Sequence, residues 1–303
     1  MVNIENMPAL LNKGDKVIFI APSGRVNTDK TKKAISLIES WGLDAAEGKY
    51  LYKRDGIFAG DDSERLADLQ AALDDKDLRA IFCARGGYGL SRIIDQIDFD
   101  GFKRFPKWVI GYSDITVLHT EILRKTGIPV IHAEMPLNYA DSNISAETLA
   151  SLREALFEGR CSYQWMPANL RQGETRSVVA GGNLSLLYNI MGTGLSEFLR
   201  GKILFIEETN EHLYRVDRML MGLRLAGVFK NIRGLLVGGM SDITDSNVPF
   251  GKSIEEIILD VVSDYHIPVA FDFPAGHKSD NRAVYLGREA FFRVDSLSAV
   301  LSF

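Results

Sequence analysis

Three features of the sequence predict an α/β protein built on a parallel sheet. Short apolar runs alternate with segments of helical periodicity through residues 16–132. The runs end in polar or Gly-rich corners: Pro22-Ser23-Gly24, Arg85-Gly86-Gly87-Tyr88-Gly89, Gly111-Tyr112-Ser113-Asp114 and His132-Ala133-Glu134. The same alternation resumes after residue 177. Strands separated by helices run parallel, joined by right-handed crossovers. In an open parallel sheet, ligands bind beyond the carboxyl ends of the strands, so these four corners are the candidate site.

The elements follow in order. Residues 16–21 are largely apolar, as a strand covered on both faces requires. Ala34, Ile35, Ile38 and Trp41 recur at helical spacing, and Gly42 is a fitting stop. Leu66, Leu69 and Leu73 mark a second helix. A strand over 78–84 runs straight into the glycine-rich corner, and 90–97 is a short helical stretch. A strand at 108–110 leads to the Ser113 corner and a helix to Lys125; residues 127–132 form one more strand. Residues 143–159 read as a helix with Ser145 as N-cap, Glu147 in its first turn and Gly159 at its end. Residues 161–176 have little periodicity and contain Pro167 and Gly173. They are expected to link a domain over 1–160 to a second over 177–303. There, residues 177–187 read as a strand, a Gly181-Gly182 turn and a helix; 202–206 is a strand closed by Glu207-Glu208. A basic helix at 214–226, a strand at 234–239, a helix at 254–263 and a strand at 268–271 follow, the last leading to Gly276-His277. Residues 283–303 alternate apolar and polar around Gly287, the pattern of hairpin strands.

Bulk properties narrow the function. The 303 residues are 46% hydrophobic and 25% charged, as expected of a globular chain. A net charge of −5 argues against a nucleic-acid surface, which would show a basic stripe. No apolar run is long enough to span a membrane, and the first eight residues lack the basic-then-apolar layout of a secretory leader. Cys83 and Cys161 are the two cysteines, without metal-binding spacing; this fits a cytoplasmic location.

A serine on a strand-to-helix corner exposes its hydroxyl beside backbone N–H groups, two requirements of acyl transfer. The segment Gly111-Tyr112-Ser113-Asp114-Ile115 approaches the G-x-S-x-G elbow but has Ile115 in place of the last glycine. The competing reading is a helix cap. Glycines 86 and 87 let backbone amides approach a ligand oxygen, so an oxyanion hole is expected from the Gly86 or Gly87 amide with that of Asp114. Residues 85–89 do not match the dinucleotide fingerprint. Of the five histidines, His119 follows Ser113 on the same helix, His266 precedes a strand and His212 sits in a polar loop; His132 and His277 both suit a general base. Glu207 and Glu208 end a strand and point to opposite faces, so one of them can face a site. A metal site using Asp114, His132 and Glu134 lacks a recognised ligand spacing.

Taken together, Gly111-Tyr112-Ser113-Asp114, Gly181-Gly182-Asn183-Leu184-Ser185, the strand 203–208 with Tyr214-Arg215-Val216-Asp217-Arg218-Met219-Leu220, and Gly276-His277 resemble the LD-carboxypeptidase family of serine peptidases. The resemblance runs from Lys13 to the C-terminal strands. It implies a Rossmann-like (flavodoxin-like) parallel-sheet N-terminal domain and a smaller C-terminal α/β domain. It also implies a triad of Ser113 as nucleophile, His277 as base and Glu207 as orienting carboxylate, and so chooses within both pairs left open above. Arg85, Tyr88, His132 and Asn183 are then expected to bind substrate, Arg85 because guanidinium suits a carboxylate. The implied reaction hydrolyses an L,D-amide, that between meso-diaminopimelate and D-alanine in a murein tetrapeptide, in peptidoglycan recycling. No metal or organic cofactor is expected, and a homodimer is. Ala133-Glu134 after His132 replaces the Gly-Pro of many members, and Lys278-Ser279-Asp280 after His277 also departs from the pattern. Two rivals remain: a microcin C-type aminoacyl-nucleotide peptidase, needing an aromatic platform such as Trp165 or Tyr88, and a non-catalytic two-domain ligand-binding protein.

Overall fold

The computed structural model describes residues 7–303; residues 1–6, which entered the reading of the N-terminus, lie outside them. The chain forms two compact units. The first runs to Arg160 and takes back Ser279–Gly287; the smaller second unit is Cys161–Lys278 with Arg288–Phe303.

The first unit contains β1 (Lys16–Ile20), α1 (Thr28–Ser40), β2 (Asp44–Glu47), α2 (Asp62–Asp74), β3 (Leu78–Cys83), α3 (Asp100–Arg104), β4 (Trp108–Gly111), α4 (Thr116–Thr126), β5 (Val130–His132) and α5 (Ala146–Glu158). Residues 90–97, expected as a short helix, form two 3-10 turns. The strands lie side by side in the order β2-β1-β3-β4-β5, all parallel, which is the flavodoxin-like order. Val17, Phe19, Ile20 and the run Ala80–Ala84 are buried, with Phe19 stacked on Phe82 at 5.0 Å. Helix starts are capped: Asn27 accepts from Lys30 N, and Asp61 and Glu64 form a reciprocal capping box. Ser145 caps α5, and Gly159 ends it in the left-handed conformation.

The sixth strand of this sheet comes from far down the chain. Val284–Leu286 pairs antiparallel to β5, His132 opposite Val284. The expected hairpin over 283–303 is therefore corrected: its first strand belongs to the first unit. The reason lies in α5, whose positions 148, 151 and 155 share one face. Thr148 Oγ1 accepts from Asn281 N (3.0 Å), Ser151 Oγ accepts from Ala283 N (3.0 Å), and Ala155 O accepts from Tyr285 OH (2.5 Å). The Tyr285 ring packs against Trp108 at 5.4 Å.

The second unit holds β6 (Ser162–Trp165), β7 (Leu170–Arg171), β8 (Gly173–Asn183), α6 (Leu184–Asn189), α7 (Leu195–Leu199), β9 (Ile203–Thr209), α8 (Leu213–Leu225), α9 (Val228–Asn231), β10 (Gly234–Ser241), α10 (Ile254–Val261) and β11 (Val269–Ala270). With Val284–Leu286 numbered β12, β13 (Glu289–Val294) and β14 (Ala299–Ser302) complete the chain. The sheet order is β6-β14-β13-β8-β9-β10-β11-β7. The expected linker 161–176 is thus strand: β6 pairs with β14, β7 with β11, and β8 begins at Gly173. These are edge or half-exposed strands, whose mixed polarity hides them from a search for apolar runs. The eleven-residue β8 carries both halves of the sheet, antiparallel to β13 and then parallel to β9. Gly181 and Gly182 are not a turn but extended strand. A Cβ on Gly181 would stand 1.9 Å from Phe205 O, so glycine is required by the close approach of β9.

Candidate active site

In the first unit, the sheet order reverses between β1 and β3, and the corners after those strands flank the switch point. Residues 22–24 follow β1 and residues 84–89 follow β3. They are joined by Gly24 N donating to Gly86 O (2.9 Å). One strand further along, β4 ends at Gly111 and the chain turns sharply. Ser113 has φ +63°, a left-handed conformation that non-glycine residues rarely adopt and that costs about 1–3 kcal/mol. Its hydroxyl makes no capping bond; the N-cap positions of the following turn and helix are Tyr112 and Ile115. Helix capping therefore does not account for this serine. Gly86 packs directly on it, for a Cβ there would lie 2.9 Å from Ser113 Cβ and 3.1 Å from its Oγ. Gly87 is exposed with φ +99°.

The side chain of the next residue, Asp114, is buried. Its Oδ2 accepts from Ser23 Oγ (2.6 Å) and Leu90 N (2.9 Å). Burial pushes its carboxyl above the usual range, and those two donors oppose the shift. Arg85 donates from Nη1 to Arg25 O (2.7 Å), and exposed Tyr88 leans on Phe58 at 5.8 Å. His132 is fully buried, edge-on to Tyr112 at 5.7 Å. It lies among the buried side chains of its unit. Glu134 is buried too: Oε1 accepts from Met135 N and Asn138 Nδ2, and Oε2 from Asn281 Nδ2. Burial raises its carboxyl. Among the described residues, no group of three His, Cys, Asp or Glu side chains is arranged to hold a metal ion.

In the second unit, β9 carries Glu207 and Glu208 within the strand, both buried and on opposite faces. Glu207 Oε2 accepts from His277 Nδ1 at 2.7 Å and from His277 N at 3.1 Å. The carboxylate therefore fixes the ring and the loop that bears it, and holds a proton on Nδ1, which puts the basic lone pair on Nε2. Gly276 makes this possible: at φ +108°, a Cβ there would meet Glu207 Cβ at 2.7 Å. Glu208 faces the other way and accepts from Asn183 Nδ2 (3.1 Å), Ser185 N (2.8 Å) and Thr209 N (2.9 Å). Burial raises its carboxyl, against the pull of those donors. Asn183 caps α6 through Leu186 N and is 3% exposed. The remaining histidines are placed apart: His119 Nε2 lies 3.2 Å from Val109 O in the core, His212 stacks on Tyr214, and His266 is exposed.

Sequence reasoning assigned no role to Ser23 or Arg65 and weighed the Asp114 side chain only as a metal ligand. Arg65 is 1% exposed and donates from Nη1 to Pro22 O (2.9 Å) and Gly89 O (3.0 Å). Arg65 shares the buried face of α2 with Leu69, Ala72 and Leu73, and that register, with the serine in Pro22-Ser23-Gly24, was the available hint.

A strained serine corner in the first unit and a carboxylate-bound histidine in the second are each features that serine-type hydrolases use. The chain belongs to the LD-carboxypeptidase family of serine peptidases. The family's N-terminal domain signature matches residues 17–133 and its C-terminal domain signature residues 176–291. The chain is 35% identical to the "Probable murein peptide carboxypeptidase" of Bacillus subtilis, over 97% of this chain and 93% of that one. It is 30% identical to the murein tetrapeptide carboxypeptidase of Pseudomonas aeruginosa, over 91% and 92% respectively. The crystal structure of muramoyltetrapeptide carboxypeptidase from Oxalobacter formigenes superposes with a TM-score of 0.85 at 28% identity, covering 95% of this chain and 99% of that one. The protein is a hydrolase of the serine-type LD-carboxypeptidase class.

Proposed function

We propose that the protein is a murein tetrapeptide carboxypeptidase that hydrolyses the amide between meso-diaminopimelate and the terminal D-alanine, serving peptidoglycan recycling. Ser113 is the nucleophile, His277 the general base and acid, and Glu207 the carboxylate that orients it. His277 Nε2 takes the Ser113 proton as Oγ attacks the carbonyl carbon; the Asp114 amide and that of Gly86 or Gly87 hold the oxyanion. Collapse breaks the C–N bond, and His277 returns the proton to the departing D-alanine amine. Water, deprotonated by His277, then releases the tripeptide from the acyl-enzyme. Neither metal nor organic cofactor enters these steps.

The observation that carries this reading is the 2.7 Å bond from His277 Nδ1 to fully buried Glu207, the orienting arrangement a base needs. The names of the relatives support the substrate. Trp165, a possible nucleotide platform, is edge-on to Phe273 at 5.0 Å and donates its indole N–H to Phe271 O, so the aminoacyl-nucleotide alternative gains nothing from it. The test is incubation with purified tetrapeptide and detection of tripeptide by mass spectrometry. Turnover lost in Ser113→Ala supports the reading; equal turnover by that variant overturns it, and tight binding without turnover by the wild type identifies a binding protein instead. We assign the enzyme to the cytoplasm and to a homodimer; sedimentation at micromolar concentration checks the latter.

A further inference from the structure

The glycine-rich segment 86–89 has almost no side chains with which to hold itself, yet the oxyanion hole proposed above needs an amide of that segment fixed in place. Gly87 and Gly89 both have positive φ, at +99° and +153°, so the backbone is free to take many other conformations. Donors act in catalysis only when they are already aimed at the developing charge. Something outside the loop must supply that rigidity.

We propose that the Asp114 carboxylate, acting with Arg65, is a positioning device that clamps the glycine loop over Ser113. Asp114 Oδ2 joins the Ser23 hydroxyl after β1 to the Leu90 amide at the far end of the loop, at 2.6 and 2.9 Å. Arg65 Nη1 joins the same two segments one residue earlier on each side, through Pro22 O and Gly89 O at 2.9 and 3.0 Å. Gly24 N to Gly86 O, at 2.9 Å, closes the near end. The loop is therefore tied to residues 22–24 at both its start and its finish. Room for the clamp is built in: a Cβ on Gly89 would stand 2.6 Å from Arg65 Nη1. Arg65 is itself ion-paired with Asp62. Because Asp114 directly follows Ser113, one residue offers its amide to the oxyanion and uses its carboxylate to hold the partner amide in register. Neither Asp114 nor Arg65 transfers a proton in this scheme.

The inference rests on Ser113 being the nucleophile, and the experiment separates the two. Asp114→Asn, Ser23→Ala and Ser23→Thr are compared with wild type for kcat, KM, melting temperature, and affinity for two ligands. One is a peptidyl boronic acid, which forms a tetrahedral anion on the serine; the other is the tripeptide product. Asp114→Asn and Ser23→Ala should lower kcat about 10- to 100-fold, less than the loss of an oxyanion donor itself. KM should stay within about threefold, boronate affinity should fall by the same factor as kcat, and product affinity should hold. Ser23→Thr, which keeps the hydroxyl, should restore kcat. A folded Asp114→Asn with wild-type kcat and boronate affinity overturns the inference, as does an equal loss of boronate and product affinity. If Asp114→Asn fails to fold, Ser23→Ala decides. Full turnover by Ser113→Ala overturns the nucleophile assignment instead.

Discussion

Ser113 and Glu207 are each packed against a glycine. Gly86 leaves space against Ser113 and Gly276 leaves space against Glu207, with distances to an added Cβ of 2.9 and 2.7 Å. Gly86→Ala should therefore displace the serine or the loop and lower kcat by at least about tenfold, since misplaced catalytic geometry is expensive; unchanged kcat with unchanged melting would show the contact to be slack. The two adjacent glutamates offer a sharper comparison. Glu207→Gln should reduce kcat by about 100-fold or more, because an amide cannot hold the histidine tautomer and its charge as a carboxylate does. Glu208→Gln, bound to Asn183, Ser185 and Thr209, should leave kcat within about tenfold and act on melting temperature instead. The reverse ranking in steady-state assays would mean the wrong member of the pair was chosen. The serine corner and the Glu-Glu strand end were legible as residue types. The choice of His277 over His132 came from the family resemblance and not from the residues themselves, because loop placement alone does not reveal a hydrogen bond between positions 70 residues apart.

Among the elements, the parallel strands β1, β3, β4 and β5 of the first unit stood out in the sequence because both faces are covered and the runs are largely apolar, whereas edge strand β2, mostly exposed, was not predicted. Caps at Ser145 and Gly159 were legible for a local reason: each satisfies its own helix end. Strands β6 and β7 escaped notice because their partners are β14 and β11, about a hundred residues or more away, and because half of β6 faces solvent. Helix α4 carries a further consequence. His119 is fully buried there, and burial lowers its pKa to about 3. An unfolded histidine takes up a proton below about pH 6.5. Between those limits the unfolded chain binds more protons, so the stability due to neutral His119 is fully present above pH 6.5 and is lost as pH falls toward 3. The slope reaches at most about 1.4 kcal/mol per pH unit. Replacing His119 by Gln, which keeps a donor for Val109 O, should flatten the melting-temperature profile over this window. An equally steep profile would assign the acid sensitivity to carboxylates.

At the scale of the whole molecule, the chain leaves the first unit at residue 160 and gives it back residues 279–287. A chain ending at Arg160 lacks the sixth strand and the partners of Thr148, Ser151, Ala155 and Trp108. It should melt well below the intact protein or aggregate, and an added peptide of residues 279–287 should raise its melting temperature; independent stability without the peptide would show the returning strand to be dispensable. This chain crossing was not legible, since nothing in an alternating segment says which sheet it will join. The left-handed backbone at Ser113 sets a last condition on the molecule. A glycine would occupy that corner without steric conflict, whereas alanine would keep it. Ser113→Gly should consequently melt above Ser113→Ala, and differential scanning of the two variants checks this. On the assignment proposed above, the reacting residue carries backbone strain that a single glycine substitution would relieve, so this corner gives up durability at the position where the chemistry is placed.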